Sequence, residues 1–485
     1  MSLRGVFRHQ SGAPYQAIFA TPYRRSAHPK SAPKADSASD RRMPPKAGGG
    51  QRSAQNSARG PPMPGKTPGA KADAKAAGKP ASPEKPPPPP PPPIAPPKEE
   101  PFLPATVLIL GGYGTVGSAM CSVLLEQSST VKLLVAGRSI DNAQALADQL
   151  NSEYPPASAK DPQRVRAYCI DAENTSSFER VPRFDVLVNA TTMSAVEGLI
   201  TLMRFAASKR SHYLDLKVTF GFEEAMAKAV GDVGPIILMG GGYCPGAIAP
   251  LLRSTAGKMY QCTQAHISIA ATALPSQAED AIEAMITGTR LEDWHDGRWQ
   301  PAKPSQPDFG RPTDFFNDGR LRQTTPVGVA EARSIPTDMK MDKCSVRFAS
   351  TQDGGLMCAA FAVLCCAPCV GLREGIAKHL RAAMERARAR EPHLCACVCE
   401  ASGVDDKGRA RKVILRMSHP GGPAAMAAHC AVAQLTQMLT KDVIPSGLPP
   451  RLCGTAVNPD VLLRSLITQG VRCAIETVEE DVPSA

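Results

Sequence analysis

The sequence predicts an α/β protein: a parallel sheet with helices on its faces, then a second α/β domain, all behind a proline-rich leader. Three observations carry this expectation. At residues 106–127 a β-branched apolar run meets a glycine-rich turn and then a helical stripe. Short strand-like runs then alternate with helix-period segments as far as residue 239, the pattern of βαβ units. Composition also changes abruptly near residue 100.

Charge shows that change most clearly. The 485-residue chain has a formal charge of +11. Residues 1–100 hold 17 Lys and Arg against 6 Asp and Glu, which accounts for the whole excess, while residues 101–485 hold 39 of each. The same first hundred residues hold 22 of the 47 prolines and none of the 15 cysteines. The chain behind the leader therefore lacks the electrostatic footprint of a nucleic-acid-binding domain, and no nucleic-acid partner is expected.

Residues 1–103 show no sustained apolar period of 2 or 3.6, so they bury no core and are expected to be disordered. The unbroken run Pro86–Pro93 reads as a polyproline spacer in preference to a docking motif. The first 30 residues carry Arg4, Arg8, Arg24 and Arg25, no acid, and scattered Phe, Tyr and Ile. That is the composition of a transit peptide for mitochondrion or plastid, with a plain basic tail on a cytoplasmic protein as the alternative.

The remainder exceeds what one core serves, so two domains are expected, at 104–245 and 246–475. An odd cysteine count without a secretory signal implies reduced thiols. Cys395, Cys397 and Cys399 alternate, which puts them on one face of a strand. Cys366 and Cys369 have the spacing of a redox or zinc half-site, but no second matching pair follows, so buried thiols and no metal are expected. Residues 354–372 are uncharged, yet Pro368 interrupts them and Arg373 and Glu374 follow at once. They read as a buried helix and not as an integral membrane span.

The elements of the first domain follow in order. Thr106–Leu110 (TVLIL) is a buried parallel strand. It runs into Gly111-Gly-Tyr113-Gly114-Thr115-Val116-Gly117 and a helix with Met120, Val123 and Leu124 on one stripe. Such a turn must admit positive φ, let backbone approach a pyrophosphate, and pack helix tightly on strand. Phosphates then sit on free N–H groups at the helix start, so this is a Rossmann dinucleotide site. The second strand, residues 131–136, ends in Gly137-Arg138-Ser139 where an NAD-preferring site places an acid. A guanidinium and a hydroxyl suit a 2′-phosphate, so NADP(H) is the expected cofactor.

Ala143, Leu146, Ala147 and Leu150 mark the next helix. Residues 165–170 form a third strand whose end brings Asp171 near the adenine. The fourth strand, from Asp185 through Asn189, ends in Ala190, Thr191 and Thr192, which face the nicotinamide ribose or, for the threonines, cap the helix beginning near Val196. Further strands are expected at His212–Leu216 and Pro235–Met239. In the second domain, strands are expected at 265–271, 345–348, 393–400 and 412–416, with helices at 276–287, 372–390 and 422–439.

Taken together, GGYGTVG, VAGRS, NAQALA, DVLVNAT, HYLDL and GGYCPGAIAPLL resemble the saccharopine dehydrogenase family. The resemblance implies a Rossmann domain followed by an α/β domain with a mixed sheet. It also implies hydride transfer at a carbon–nitrogen bond, with an amino-acid-like small molecule as substrate, as in lysine-type amino-acid metabolism, and a homodimer as a further partner. Family members that form saccharopine carry an Asp directly before the Pro-Gly after the last Rossmann strand; here Cys244 precedes Pro245 and Gly246. Cys244 and Asp215, at the end of HYLDL, are the catalytic candidates, with a helix N-cap as the alternative role for Asp215. The missing acid keeps open a dinucleotide-binding protein without turnover, acting as sensor or assembly partner.

Overall fold

The computed structural model describes residues 105–156, 163–193, 195–218, 223–272, 291–303, 306, 308–349 and 393–479, with isolated positions between 378 and 391. The leader, the apolar segment 354–372 with Cys366 and Cys369, the helix expected at 276–287 and most of that expected at 372–390 lie outside the described residues.

Six strands form a parallel sheet: β1 (Thr106–Leu110), β2 (Lys132–Gly137), β3 (Val165–Cys169), β4 (Val186–Asn189), β5 (His212–Asp215) and β6 (Ile237–Met239). Their spatial order is β3-β2-β1-β4-β5-β6, the doubly wound Rossmann arrangement. Val107 to Leu110 are buried on both faces, which explains why the strand reads as a continuous apolar run. Helices α1 (Thr115–Gln127), α2 (Ile140–Glu153), α3 (Val196–Ser208) and α4 (Glu223–Val230) connect the strands. On α2 the stripe Ala143, Ala147 and Leu150 is buried and the residues between are exposed or half-buried. Strand order reverses between β1 and β4, and the crevice outside that reversal is where such sheets bind ligands.

The chain then enters α5 (Ile248–Ala256) and a second, mixed sheet. Its strands are β7 (Gln261–Ala271), β8 (Glu292–His295), β9 (Arg298–Pro301), β10 (Arg311–Asp314), β11 (Leu321–Pro326), β12 (Lys343–Ala349), β13 (Cys395–Val404), β14 (Ala410–Ser418) and β16 (Arg472–Glu479). The order is β10-β11-β12-β7-β13-β14-β16, with the β8–β9 hairpin on β12; β7 and β12 are parallel and the other pairs antiparallel. Cys395, Cys397 and Cys399 are buried on one face of β13 and pack as small hydrophobes with Val413, Leu415 and Met417. That face is covered by α5, α7 (Gly422–Leu439) and α9 (Pro459–Thr468), with the short helices α6 (Ile335–Asp338) and α8 (Cys453–Ala456) beside α5.

One connection lies beyond the reach of periodicity. Helix α7 packs on α1, and its Ala428, Ala431, Val432 and Leu435 join the core of the first sheet together with Ile444, Cys453 and Val457. Strand β15 (Arg451–Leu452) then pairs with β6 as a seventh parallel strand. The boundary near residue 245 falls between β6 and α5, but residues 428–457 complete the core of the first sheet.

Candidate cofactor and active site

The glycine turn is built by close backbone approach. Gly111 has φ +71 and Gly114 N–H donates to its carbonyl at 2.9 Å. A Cβ on Gly117 would overlap the Gly111 carbonyl and come within 2.8 Å of Gly112 Cα, so α1 can begin this close to the turn only with glycine there. Gly114 is the N-cap of α1 and supplies no side-chain acceptor, which leaves the first N–H groups of the helix, from Thr115, Val116 and Gly117, without an intrahelical partner or a capping side chain. These donors and the helix dipole favour an anion.

At the end of β2 the Tyr113 ring lies over Gly137, where a Cβ would come within 2.7 Å of the Tyr113 hydroxyl. That hydroxyl accepts from Ser139 N–H at 3.1 Å. Arg138 is exposed beside it. Ser139 is also the N-cap of α2, its hydroxyl accepting from Asn142 N–H at 3.3 Å. Asp171 is exposed after β3 and accepts from Glu173 N–H at 3.2 Å. A glycine cradle, an uncapped helix start and an exposed guanidinium with no acid at the β2 end fit a 2′-phosphorylated dinucleotide.

The ends of β4 and β5 are joined by a buried relay. Asp215 is 1% exposed; its Oδ2 accepts from the Tyr213 hydroxyl at 2.6 Å and from Asn189 Nδ2 at 3.1 Å, and its Oδ1 from Lys217 N–H at 2.9 Å. Asn189 Oδ1 in turn accepts from the Thr191 hydroxyl at 2.7 Å and from Thr191 N–H at 3.2 Å. Burial pushes the Asp215 carboxyl up to about 6, with the hydrogen bonds from Tyr213, Lys217 and Asn189 pulling the other way. Among the described residues the Asp215 carboxylate bonds Tyr213, Asn189 and Lys217 N–H, and through Asn189 it fixes the loop 190–193, which lies against Gly111. Residues 219–222, where it could cap the next helix, lie outside the described residues. Thr191 and Thr192 do not cap α3, whose N-cap is Ala195 without a side-chain bond; Ala190 and Thr191 are half-buried and Thr192 is exposed at this strand end.

Cys244 is half-buried in the loop between β6 and α5 and packs against the core of the second sheet. Burial above all, then the nearby Glu331 carboxylate, pushes its thiol up to about 12, so it carries its proton at neutral pH. Glu331, 1% exposed in the short 3-10 turn Ala330–Ala332, gave no signal in the sequence, since a lone acid in an irregular stretch has no period to betray it. Its Oε1 accepts from Gly246 N–H at 2.8 Å and its Oε2 from Ala249 N–H at 3.4 Å, which ties the second domain to the Cys244-Pro245-Gly246 loop. Burial raises its carboxyl to about 7.

Several further polar and aromatic side chains are tied down by packing. His212 Nδ1 accepts from Ile236 N–H at 2.9 Å, a structural tie between β5 and β6. Arg253 pairs with Asp338 at 3.2 Å. Trp294 and Trp299 stack edge-on at 5.9 Å and donate to the carbonyls of Met341 and Arg333. Among the described residues no group of three or more His, Cys, Asp or Glu is arranged to hold a metal ion, and no helix is long and apolar enough to cross a membrane.

The fold and this cradle define a dinucleotide-binding domain. Residues 107–238 match the family model described as the saccharopine dehydrogenase NADP binding domain. Its first domain is accordingly similar to the NADP-binding domain of saccharopine dehydrogenases, and a nicotinamide dinucleotide is the cofactor that the cradle fits. Among solved structures it is similar to apo saccharopine dehydrogenase (L-Glu forming) from Saccharomyces cerevisiae, at 12% identity and a TM-score of 0.54 over 77% of this chain and 100% of that one. GenD2 from gentamicin A biosynthesis, in complex with NAD, matches at 12% identity and a TM-score of 0.36 over 80% of this chain and 100% of that one. Biliverdin reductase from Synechocystis sp. PCC 6803, in complex with biliverdin and NADP+, matches at 12% identity and a TM-score of 0.32 over 76% and 98%. No curated protein matches the chain.

Proposed function

We propose that the protein is an NADP(H)-dependent oxidoreductase acting on a carbon–nitrogen bond, a secondary amine or imine of an amino-acid-type substrate. The observation that carries this reading is the glycine cradle with exposed Arg138 at the end of β2, inside a domain that matches the saccharopine dehydrogenase NADP-binding family. The bound dinucleotide supplies or accepts the hydride. The chain's own residues then orient and manage protons. The first N–H groups of α1 would hold the pyrophosphate and Arg138 the 2′-phosphate, while the Asp215–Asn189–Thr191 relay sets the strand-end loop beside the glycine turn. Cys244 holds a proton at its thiol, in the position next to Pro-Gly.

The test begins with cofactor choice. NADPH should bind at least about tenfold tighter than NADH, and Arg138→Ala should remove most of that preference, because a charge-assisted hydrogen bond contributes roughly 1.5–3 kcal/mol. NADPH should then be consumed with an imine formed from an amino acid and a keto acid. A dinucleotide-binding sensor without turnover is the second reading, favoured by the enclosure of Asp215 within protein hydrogen bonds. Tight NADPH binding with no consumption across such a panel would select it. For the leader, we infer a targeting or tethering role from its +11 charge; a reporter fused to residues 1–103 that stays diffuse in the cytoplasm would reject targeting.

A further inference from the structure

The two faces of the second sheet differ in chemistry. Cys395, Cys397, Cys399, Val413 and Leu415 point to the helix-covered face, so the residues between them point to the other. One register row of that other face carries Ile414, Glu400, His266 and Ser345; the next carries Lys412, Ser402, Gln264 and Lys343. Strand β10 folds back over these rows. Its Arg311 pairs with Glu400, and its Thr313 hydroxyl donates to that of Ser268 at 3.2 Å. Ser268, Thr313 and Ser345 are thereby buried.

Cations outnumber acids on this face. Glu400 is held by Arg311 and by Lys412, the latter at 3.1 Å. Arg347, 1% exposed, pairs with Asp293 at 3.7 Å and donates to the carbonyls of Asp308 and Phe309. Lys343 is exposed and has no ion pair among the described residues. Arg311, Lys343 and Lys412 against Glu400 therefore leave two positive charges in excess.

His266 lies in their midst. It is half-buried, its Nδ1 is 2.7 Å from the Ser345 hydroxyl, and its Nε2 has no hydrogen bond among the described residues. Burial, then Arg311, Arg347, Lys343 and Lys412, push the ring down to about 3, so it stands neutral among cations. With the Ser345 hydroxyl donating to Nδ1, Nε2 carries the proton and is a free donor. A surplus of two charges around an unused donor matches a dianion with several acceptor oxygens.

We propose that this face of the second sheet binds a phosphate dianion, free or as a small monoester, through Arg311, Lys343, Lys412 and His266 Nε2. The site is separate from the start of α1, because α5, α7 and α9 cover the reverse of the sheet and α7 leads to the first domain. It does not draw on the cofactor reading.

NMR of the full chain with labelled histidines tests this at about pH 8, where a phosphate monoester is dianionic. During titration with inorganic phosphate at constant ionic strength, the His266 ring signal should shift saturably, with a Kd of about 1 mM or below. His266→Gln assigns that signal by its loss. Lys343→Gln, at an exposed side chain, should raise the Kd at least about fivefold. Glycerol phosphate as a second probe separates the sources: tighter binding than inorganic phosphate identifies a monoester, equal or weaker binding the free ion. The proposal is overturned by no saturable shift, by an equal shift with chloride, or by succinate binding tighter than either phosphate. A Kd untouched by Lys343→Gln also overturns it, since the phosphate then sits elsewhere. Lys412→Gln should weaken binding from the other end of the row; if it releases Glu400 and fails to fold, Lys343→Gln decides alone.

Discussion

Burial and the Glu331 carboxylate together keep the Cys244 thiol protonated, so Cys244 is a proton holder and a poor nucleophile. At pH 8 iodoacetamide should therefore alkylate Cys244 at least about tenfold more slowly than exposed Cys169, since the thiolate is the reacting form. Glu331→Gln removes a negative charge beside the thiol and should speed that reaction. Equal rates at Cys244 and Cys169, read by peptide mass spectrometry, would refute the assignment. Legibility differs among the residues of the site. The glycines and Arg138 were readable, because a φ of +71 or a cation at a strand end follows from local sequence pattern. Glu331 was not, because its partners Gly246 and Ala249 lie more than eighty positions away along the chain.

At the scale of elements, strands β1 to β6 and helices α1 to α3 were legible from periodicity, since each is a local amphipathic or apolar unit. The register of β13 against β7 was not. It shifts between Ser402 and Gly403, where a Cβ would overlap the Gln261 carbonyl and come within 2.9 Å of Cys262 Cα. Gly403→Ala should thus cost roughly 1–3 kcal/mol of unfolding free energy, the usual range for overpacking. A denaturant midpoint unchanged from wild type would show that the backbone there yields freely.

At the scale of the molecule, two sets of buried groups pull stability in opposite directions with pH. Asp215 and Glu331, raised from 3.8 and 4.5 to about 6 and about 7, keep protons in the folded state that the unfolded chain releases. Their contribution is complete below about pH 4 and is lost as pH rises to 6–7. His266 and His419, lowered from 6.5 to about 3 and about 4 mainly by burial, contribute fully above pH 6.5 and lose that contribution as pH falls. Between these limits the two sets oppose each other. Asp215→Asn removes one opposing group, so acidification from pH 7 to pH 5 should destabilise that variant more than wild type, by about 1 kcal/mol. Parallel stability profiles for the two proteins over that interval would contradict the assignment. Turn chemistry and apolar period act between near neighbours, so the order of local units, the dinucleotide cradle and the cofactor class can be read along the chain. Three features emerge from folding alone: residues 428–457 return to the first sheet, Asp215 closes a relay with Tyr213 and Asn189, and Glu331 anchors the Cys244 loop. Each of those depends on long-range burial, which brings together groups whose spacing along the chain carries no pattern.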